Sequence, residues 1–396
     1  MKRILHVIAQ YPGKTGSGIF LQSLVNEGSK LNYSQGVVAA TSKKLESVKF
    51  KNDHIKFYPV EFNTDRINFD IVGMSDIMPY DSTRYSDLNE EMFKVWKENF
   101  LEVFKKALDD FKPNVIIAHH LWILTSIIGT IKKDIKLIVL SQGTELRQLK
   151  LAPYYKDMVI KGCENVDIVC ALNNYQRDEI IRVYNIDSKK IKVMGVGYNS
   201  DTFYHNSEVK SSRKVVYAGK ISSSKGLKCL ISSFKTIKDN RLELIIAGSG
   251  SEEIEMKKLA EDDNRIKFLG AISQESLANV IRESQVFILP SFYEGLPLVI
   301  MEALACGAKV VMSDIDGVKQ WVGDKINSSG AIKYIDLPRL INTDVPHDDD
   351  IKEYEERIKY AILQQLEREV DFNDIYDEVK KRSWSEYFEN IAKYFK

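Results

Sequence analysis

The sequence predicts an α/β protein made of two doubly wound domains that face each other across a deep cleft. Three observations carry this expectation. Short apolar runs alternate with amphipathic helical stretches along the whole length, the pattern of parallel strands joined by right-handed crossovers. The chain has 396 residues, 44% hydrophobic and 28% charged, which suits two ordinary globular cores. The pattern breaks once, over the polar stretch from Tyr198 to Arg213, where a domain boundary belongs. The expected division is a first Rossmann-like domain over 1–200 and a second over 201–383. A terminal helix is expected within 384–396.

The elements follow in order. Ile4-Leu5-His6-Val7-Ile8-Ala9 reads as a first buried strand and is too short for a secretory apolar region. Val115–Ala118, Leu137–Leu140 and Ile168–Ala171 continue the first sheet. Lys214–Ala218, Leu242–Ala247, Val286–Leu289 and Lys309–Met312 supply the second. Trp384, Tyr387, Phe388, Ile391, Tyr394 and Phe395 share one side of a closing helix. No stretch reaches the roughly 20 apolar residues of a transmembrane helix, so the expectation is a cytoplasmic protein.

Composition narrows the function classes. Lys plus Arg and Asp plus Glu are 56 each, which argues against a general nucleic-acid binder. The first 200 residues carry 28 basic and 23 acidic side chains, an asymmetry too mild to name a partner. Cys163, Cys170, Cys229 and Cys306 show no zinc spacing and sit among apolar or small residues, as buried free thiols do. Asp314-Ile315-Asp316 has a metal-binding spacing but lies in a loop after a strand, where a turn is the plainer reading. No metal or cofactor is expected.

The most informative stretch runs from Pro290 to Gly307. An apolar strand ends at Pro290, a polar loop follows, and Pro297 stands near the first turn of a helix. The free N–H groups near Gly295 to Leu298, a stretch that also holds Leu296 and the N–H-less Pro297, would with the helix dipole suit a phosphate. Gly307 can end the helix with positive φ. Glu294 lies in the loop and Glu302 about five residues into the helix, among Met301, Ala303 and Leu304. A carboxylate there needs hydrogen-bond partners, which a sugar cis-diol would provide; a nearby Lys is the alternative.

This span resembles the E-x7-E signature of glycosyltransferase family four, and the resemblance extends over nearly the whole chain. Tyr217-Ala218-Gly219-Lys220-Ile221-Ser222-Ser223-Ser224-Lys225-Gly226 is similar to the family's loop that holds the donor diphosphate, with Lys220 where Arg is usual. The segments holding Gly248 and Ile272 match the next two family stretches, the second flanking the nucleobase. In the first half, Tyr11–Phe20 resembles the glycine-rich loop, with Gly16 and Gly18 as the small residues; an ordinary turn needing positive φ is the alternative. His119 and His120 end a strand, and one of them, with His120 preferred, is expected to contact a hydroxyl or to serve structure alone. Gln142 stands where the family usually has His, and Gln320 where many relatives carry an acid.

The resemblance implies a GT-B fold, a terminal helix over 384–396 that crosses back onto the first domain, and retaining transfer from a nucleotide-diphosphate sugar, UDP favoured over GDP, to a hydroxyl acceptor in bacterial glycan or glycoconjugate synthesis. Glu294, Lys220, Lys225 and His120 are the expected catalytic residues, and Glu302 the ribose holder. A catalytically lost subunit that binds a partner and a sugar-nucleotide epimerase are the competing readings. A nicotinamide oxidoreductase lacks its G-x-G-x-x-G opening a helix. Met92, Phe93, Trp96, Phe100, Val103 and Phe104, flanked by lysines, form a stripe that either packs in the core or meets a membrane surface peripherally.

Overall fold

A run such as Val115–His119, apolar at nearly every position, is satisfied as a strand only when both faces of its sheet are covered. In the computed structural model it is the fourth of seven parallel strands. The structure describes residues 2–13, 15–75, 78–132, 134–206, 212–294, 296–342 and 344–396. By contact the chain divides into one unit of Met1–Gly195 with Tyr387–Lys396 and another of Val196–Glu386.

The first unit contains β1 (Arg3–Ile8), β2 (Ser34–Ser42), β3 (Lys56–Phe62), β4 (Val72–Gly73), β5 (Thr83–Arg84), β6 (Val115–His119), β7 (Lys136–Leu140), β8 (Ile168–Ala171) and β9 (Ile191–Val193). The main sheet runs β3-β2-β1-β6-β7-β8-β9, and β4 pairs with β5 apart from it. Side chains alternate between its faces. Leu5, Val7, Val38, Ile116 and Val139 go to one core, and Ile8, Val37 and Ala39 go to the other with Leu21 and Val25 of the helix Gly16–Lys30. The stripe on the helix Glu90–Phe111 is a core face. Trp96, Phe100 and Phe104 are buried against the sheet, and Phe93 packs on Tyr155 with ring centroids 4.9 Å apart. Each such ring contributes about 1.5–3 kcal/mol of burial free energy.

The second unit contains β10 (Ser212–Ala218), β11 (Glu243–Ala247), β12 (Ile266–Gly270), β13 (Ser284–Leu289), β14 (Lys309–Ser313) and β15 (Ile332–Ile335). Its order is β12-β11-β10-β13-β14-β15, with every pair parallel. The segment entering this unit is tied down early. Tyr198 N–H donates to Arg382 O and its carbonyl accepts from Trp384 N–H, each at 2.9 Å. The closing helix spans Trp384–Ala392. Its Tyr387 meets Phe20 at 5.3 Å between centroids, and Phe388 meets Tyr33 at 5.6 Å, so the chain's last residues complete the first unit's core. All four cysteines are free and buried, and burial pushes their thiols up, away from reactivity.

Each sheet has one point where the strand order reverses: between β1 and β6 in the first unit, and between β10 and β13 in the second. Loops leaving the carboxyl ends of those strands diverge and leave a crevice. Those four loops hold most of the residues singled out from the sequence.

Candidate functional site

In the second unit, the loop after β10 must pass close to its neighbours, and glycine makes that possible. A Cβ on Gly248, whose φ is +140, would lie 1.8 Å from Gly219 O, and one on Gly226 would lie 2.0 Å from Pro290 O. Gly219 N–H donates to Ala247 O and Phe292 N–H to Ser224 O, both at 3.0 Å. These contacts bring the β10 and β13 loops together. The result is an ion pair. Lys225 Nζ lies 2.8 Å from Glu294 Oε1 and 3.4 Å from Tyr293 O. Lys220, in the same loop after β10, is exposed.

Glu302 sits in the helix Leu298–Ala305, on the turn before its end at Cys306 and Gly307, whose φ is +86. Its carboxylate has no hydrogen bond among the described residues, and burial raises its pKa to about 7. Leu298 N–H donates to Leu296 O at 3.0 Å, and Pro297 has no N–H. The anion site expected from free N–H groups is therefore narrower, because Leu298 already spends its donor on a tight turn. Leu296 keeps its N–H, and Gly295 lies outside the described residues. Ile272, just after β12, is half-buried against the unit's core. Asp314 is paired with Lys319. Among the described residues no cluster of three or more His, Cys, Asp or Glu is placed to hold a metal ion.

The first unit's switch point opens on a cavity of about 590 Å³. Gly16, Ser17, Gln10, His120, Gln142 and Thr144 line it, with Met74, Met78 and Pro79 as an apolar wall. Gln10, Ser17, His120, Gln142 and Thr144 give it side chains that can hydrogen-bond hydroxyl groups. Gly16 opens onto this space with no atom within 4 Å of its missing Cβ. Gly18 does something else. It lies inside the helix without positive φ, and a Cβ there would sit 2.2 Å from Gly13 O, so its smallness serves loop packing.

The histidines divide by environment. Burial lowers the pKa of His6 to about 4, against the opposing hydrogen bond to Gln35. His119 is held well below the ordinary imidazole range by burial and by its neighbouring histidines. Its Nδ1 meets Gln142 Nε2 at 3.4 Å, a contact a neutral ring accepts. His120 alone of the three lines the cavity. Sequence reasoning passed over Gln10, Ser17 and Glu145. Ser17 Oγ donates to Gln10 Oε1 at 2.7 Å, and Glu145 is fully buried beneath His120. An acid in a helix's first turn, three residues after Gln142, was the available signal.

Residues 201–334 match the family model described as Glycosyl transferases group 1. The O-antigen chain mannosyltransferase B of Escherichia coli is 25% identical over 188 residues, 43% of this chain and 49% of that enzyme. The chain thus aligns with about half the length of that relative. Sucrose-phosphate synthase from Thermosynechococcus elongatus superposes with a TM-score of 0.69 at 16% identity, over 99% of this chain and 98% of its own. The Anabaena protein HepE in complex with UDP-glucose superposes with a TM-score of 0.62 at 14% identity, over 99% of each chain. With its two doubly wound units the chain has the GT-B fold, and residues 201–334 are similar to the Glycosyl transferases group 1 family.

Proposed function

We propose that this protein is a retaining glycosyltransferase that moves a sugar from a nucleotide diphosphate, UDP in preference to GDP, to an acceptor hydroxyl. The observation that carries the reading is the second unit's switch point, where Lys225 pairs with Glu294, the loop after β10 also carries Lys220, and the loop after β13 leads into the helix of the half-buried Glu302. Breaking the bond from the anomeric carbon to the diphosphate leaves charge on the phosphate oxygens. Two ammonium groups positioned in advance lower the cost of that charge. Glu294 then serves the donor sugar's hydroxyls and Glu302 the ribose diol. The departing phosphate takes the acceptor's proton as the new glycosidic bond forms on the same face. The first unit's cavity, with His120 and Gln142, is assigned to sugar or acceptor hydroxyls.

The test is a thermal-shift screen against UDP, GDP, ADP and their sugar conjugates. A ligand that binds only the folded state raises the apparent Tm by mass action. A shift with UDP and UDP-sugars is expected, followed by donor turnover once an acceptor is supplied. No shift with any nucleotide would overturn the reading in favour of a partner-binding subunit. Transfer is also proposed to run without metal, the two lysines neutralising the diphosphate in its place. Full turnover in excess EDTA is the expected result, and complete loss restored by Mg²⁺ or Mn²⁺ would refute it.

Among the described residues no helix is long and apolar enough to cross a membrane. An acceptor built on a lipid or a growing glycan would reach the first unit from outside it.

A further inference from the structure

His120 follows β6 with φ at +76, a left-handed conformation that is strained for any residue carrying a side chain. Such strain persists only where the surroundings over-determine it, and it concentrates at functional sites. Here the surroundings are specific. His120 N–H donates to Leu140 O at 3.0 Å, and Thr125 Oγ1 donates to His120 O at 2.6 Å. The ring is held from both ends: Nδ1 lies 3.3 Å from Glu145 Oε1, and Nε2 lies 3.2 Å from Gln10 Oε1.

Glu145 is the unusual member. Its side chain is fully buried, in the first turn of the helix Thr144–Leu151. Oε1 also accepts from Leu121 N–H at 3.3 Å and from Gln142 N–H at 2.8 Å. Oε2 has no partner among the described residues. Burial pushes this carboxyl's pKa up, but His120 and the backbone donors pull it further the other way, so it stays ionised. One oxygen thus gathers three groups from two loops: the His120 ring and Leu121 N–H after β6, and Gln142 N–H after β7. With Nδ1–H turned to Glu145, Nε2 presents itself at the cavity wall. There the Gln10 amide can offer it either oxygen or nitrogen.

We propose that Glu145 is a positioning residue for the transfer reaction: its carboxylate locks the His120 ring so that Nε2 meets a ligand hydroxyl in the first unit's cavity. Glu145 itself touches no substrate. The inference rests on the glycosyltransferase reading of that cavity. It adds a fully buried charge that acts only through its neighbour.

Glu145→Gln is the informative variant, because its amide oxygen can keep all three Oε1 contacts while the charge is lost. Small misplacements of a reacting group cost roughly 100-fold in rate. The expected result is a folded variant with the wild-type Tm shift on UDP, a kcat lowered roughly 10- to 100-fold, and altered His120 ring ¹⁵N resonances. The decisive arm is a double-mutant cycle. In a His120→Asn background, Glu145→Gln should lower kcat no further. Additive losses, or a Glu145→Gln variant with unchanged kcat and ring resonances, would overturn the proposal. Wild-type protein that binds UDP-sugar but transfers nothing to any acceptor would instead refute the reading it rests on.

Discussion

Replacing Glu302 by Gln is expected to make the unliganded protein more stable at pH 8 while lowering turnover by two to three orders of magnitude. The opposite signs are the point. Burial raises this carboxyl from the ordinary 4.5 to about 7, so the native state holds a proton that the unfolded chain has already released between those values. Stability from this group is therefore full below pH 4.5, falls as pH rises to 7, and is flat above. The whole window is worth about 3 kcal/mol. Gln carries no charge to desolvate, so the variant should gain several °C in Tm at pH 8 and lose this pH dependence. Donor binding should change the other way. A ribose diol donates to the ionised form, so wild-type donor affinity rises through pH 7, and the variant loses that slope. Thermal melts across pH with and without UDP measure both effects. A Glu302→Gln protein no more stable than wild type and fully active would show that Glu302 is an ordinary structural carboxylate.

The second large effect concerns Lys225. Its ammonium is engaged by Glu294 at 2.8 Å, so a diphosphate must take it from that carboxylate. Lys225→Ala removes a charge-assisted contact of about 1.5–3 kcal/mol, roughly 10- to 150-fold in UDP affinity. It also strands Glu294 without its counter-charge. Glu294→Gln separates the two residues' roles. With its competitor gone, Lys225 should bind UDP as tightly as in the wild type or somewhat more tightly, while sugar transfer falls at least 100-fold. Titration calorimetry with UDP and a turnover assay give the two readings. Parallel losses of UDP affinity in both variants would mean that Glu294 supports the diphosphate site and does not compete with it.

The physical contrast between these residues explains what was legible beforehand. Runs such as Val115–His119 and Lys309–Ser313 declare strands because period and apolarity are local properties. Loops at the ends of such strands hold ligands for topological reasons, and resemblance to the family's motifs marked Gly219, Lys220, Lys225 and Glu294 within them before any fold was seen. The expected role of Leu298 as a free donor was not secure, because its N–H was claimed by a carbonyl two residues back. Gly18 looked like a phosphate-loop glycine, yet its smallness answers to Gly13 O in its own loop.

By itself the sequence determined an α/β architecture with parallel sheets, several of their strands and many of the loop residues that follow those strands, while the strand order came only with the fold. Propensity, alternation and turn chemistry act over a few residues and leave marks in composition. Only the tertiary structure decided which side chains met. Glu145 and His120 lie 25 residues apart, His120 and Gln10 110 apart, and Lys225 and Glu294 face each other from the loops after β10 and β13. A pair of that kind is set by how parallel strands align their carboxyl ends. The burial that raises Glu302, and the backbone strain at His120, likewise exist only once the second unit's core and the loops around β6 have closed around them.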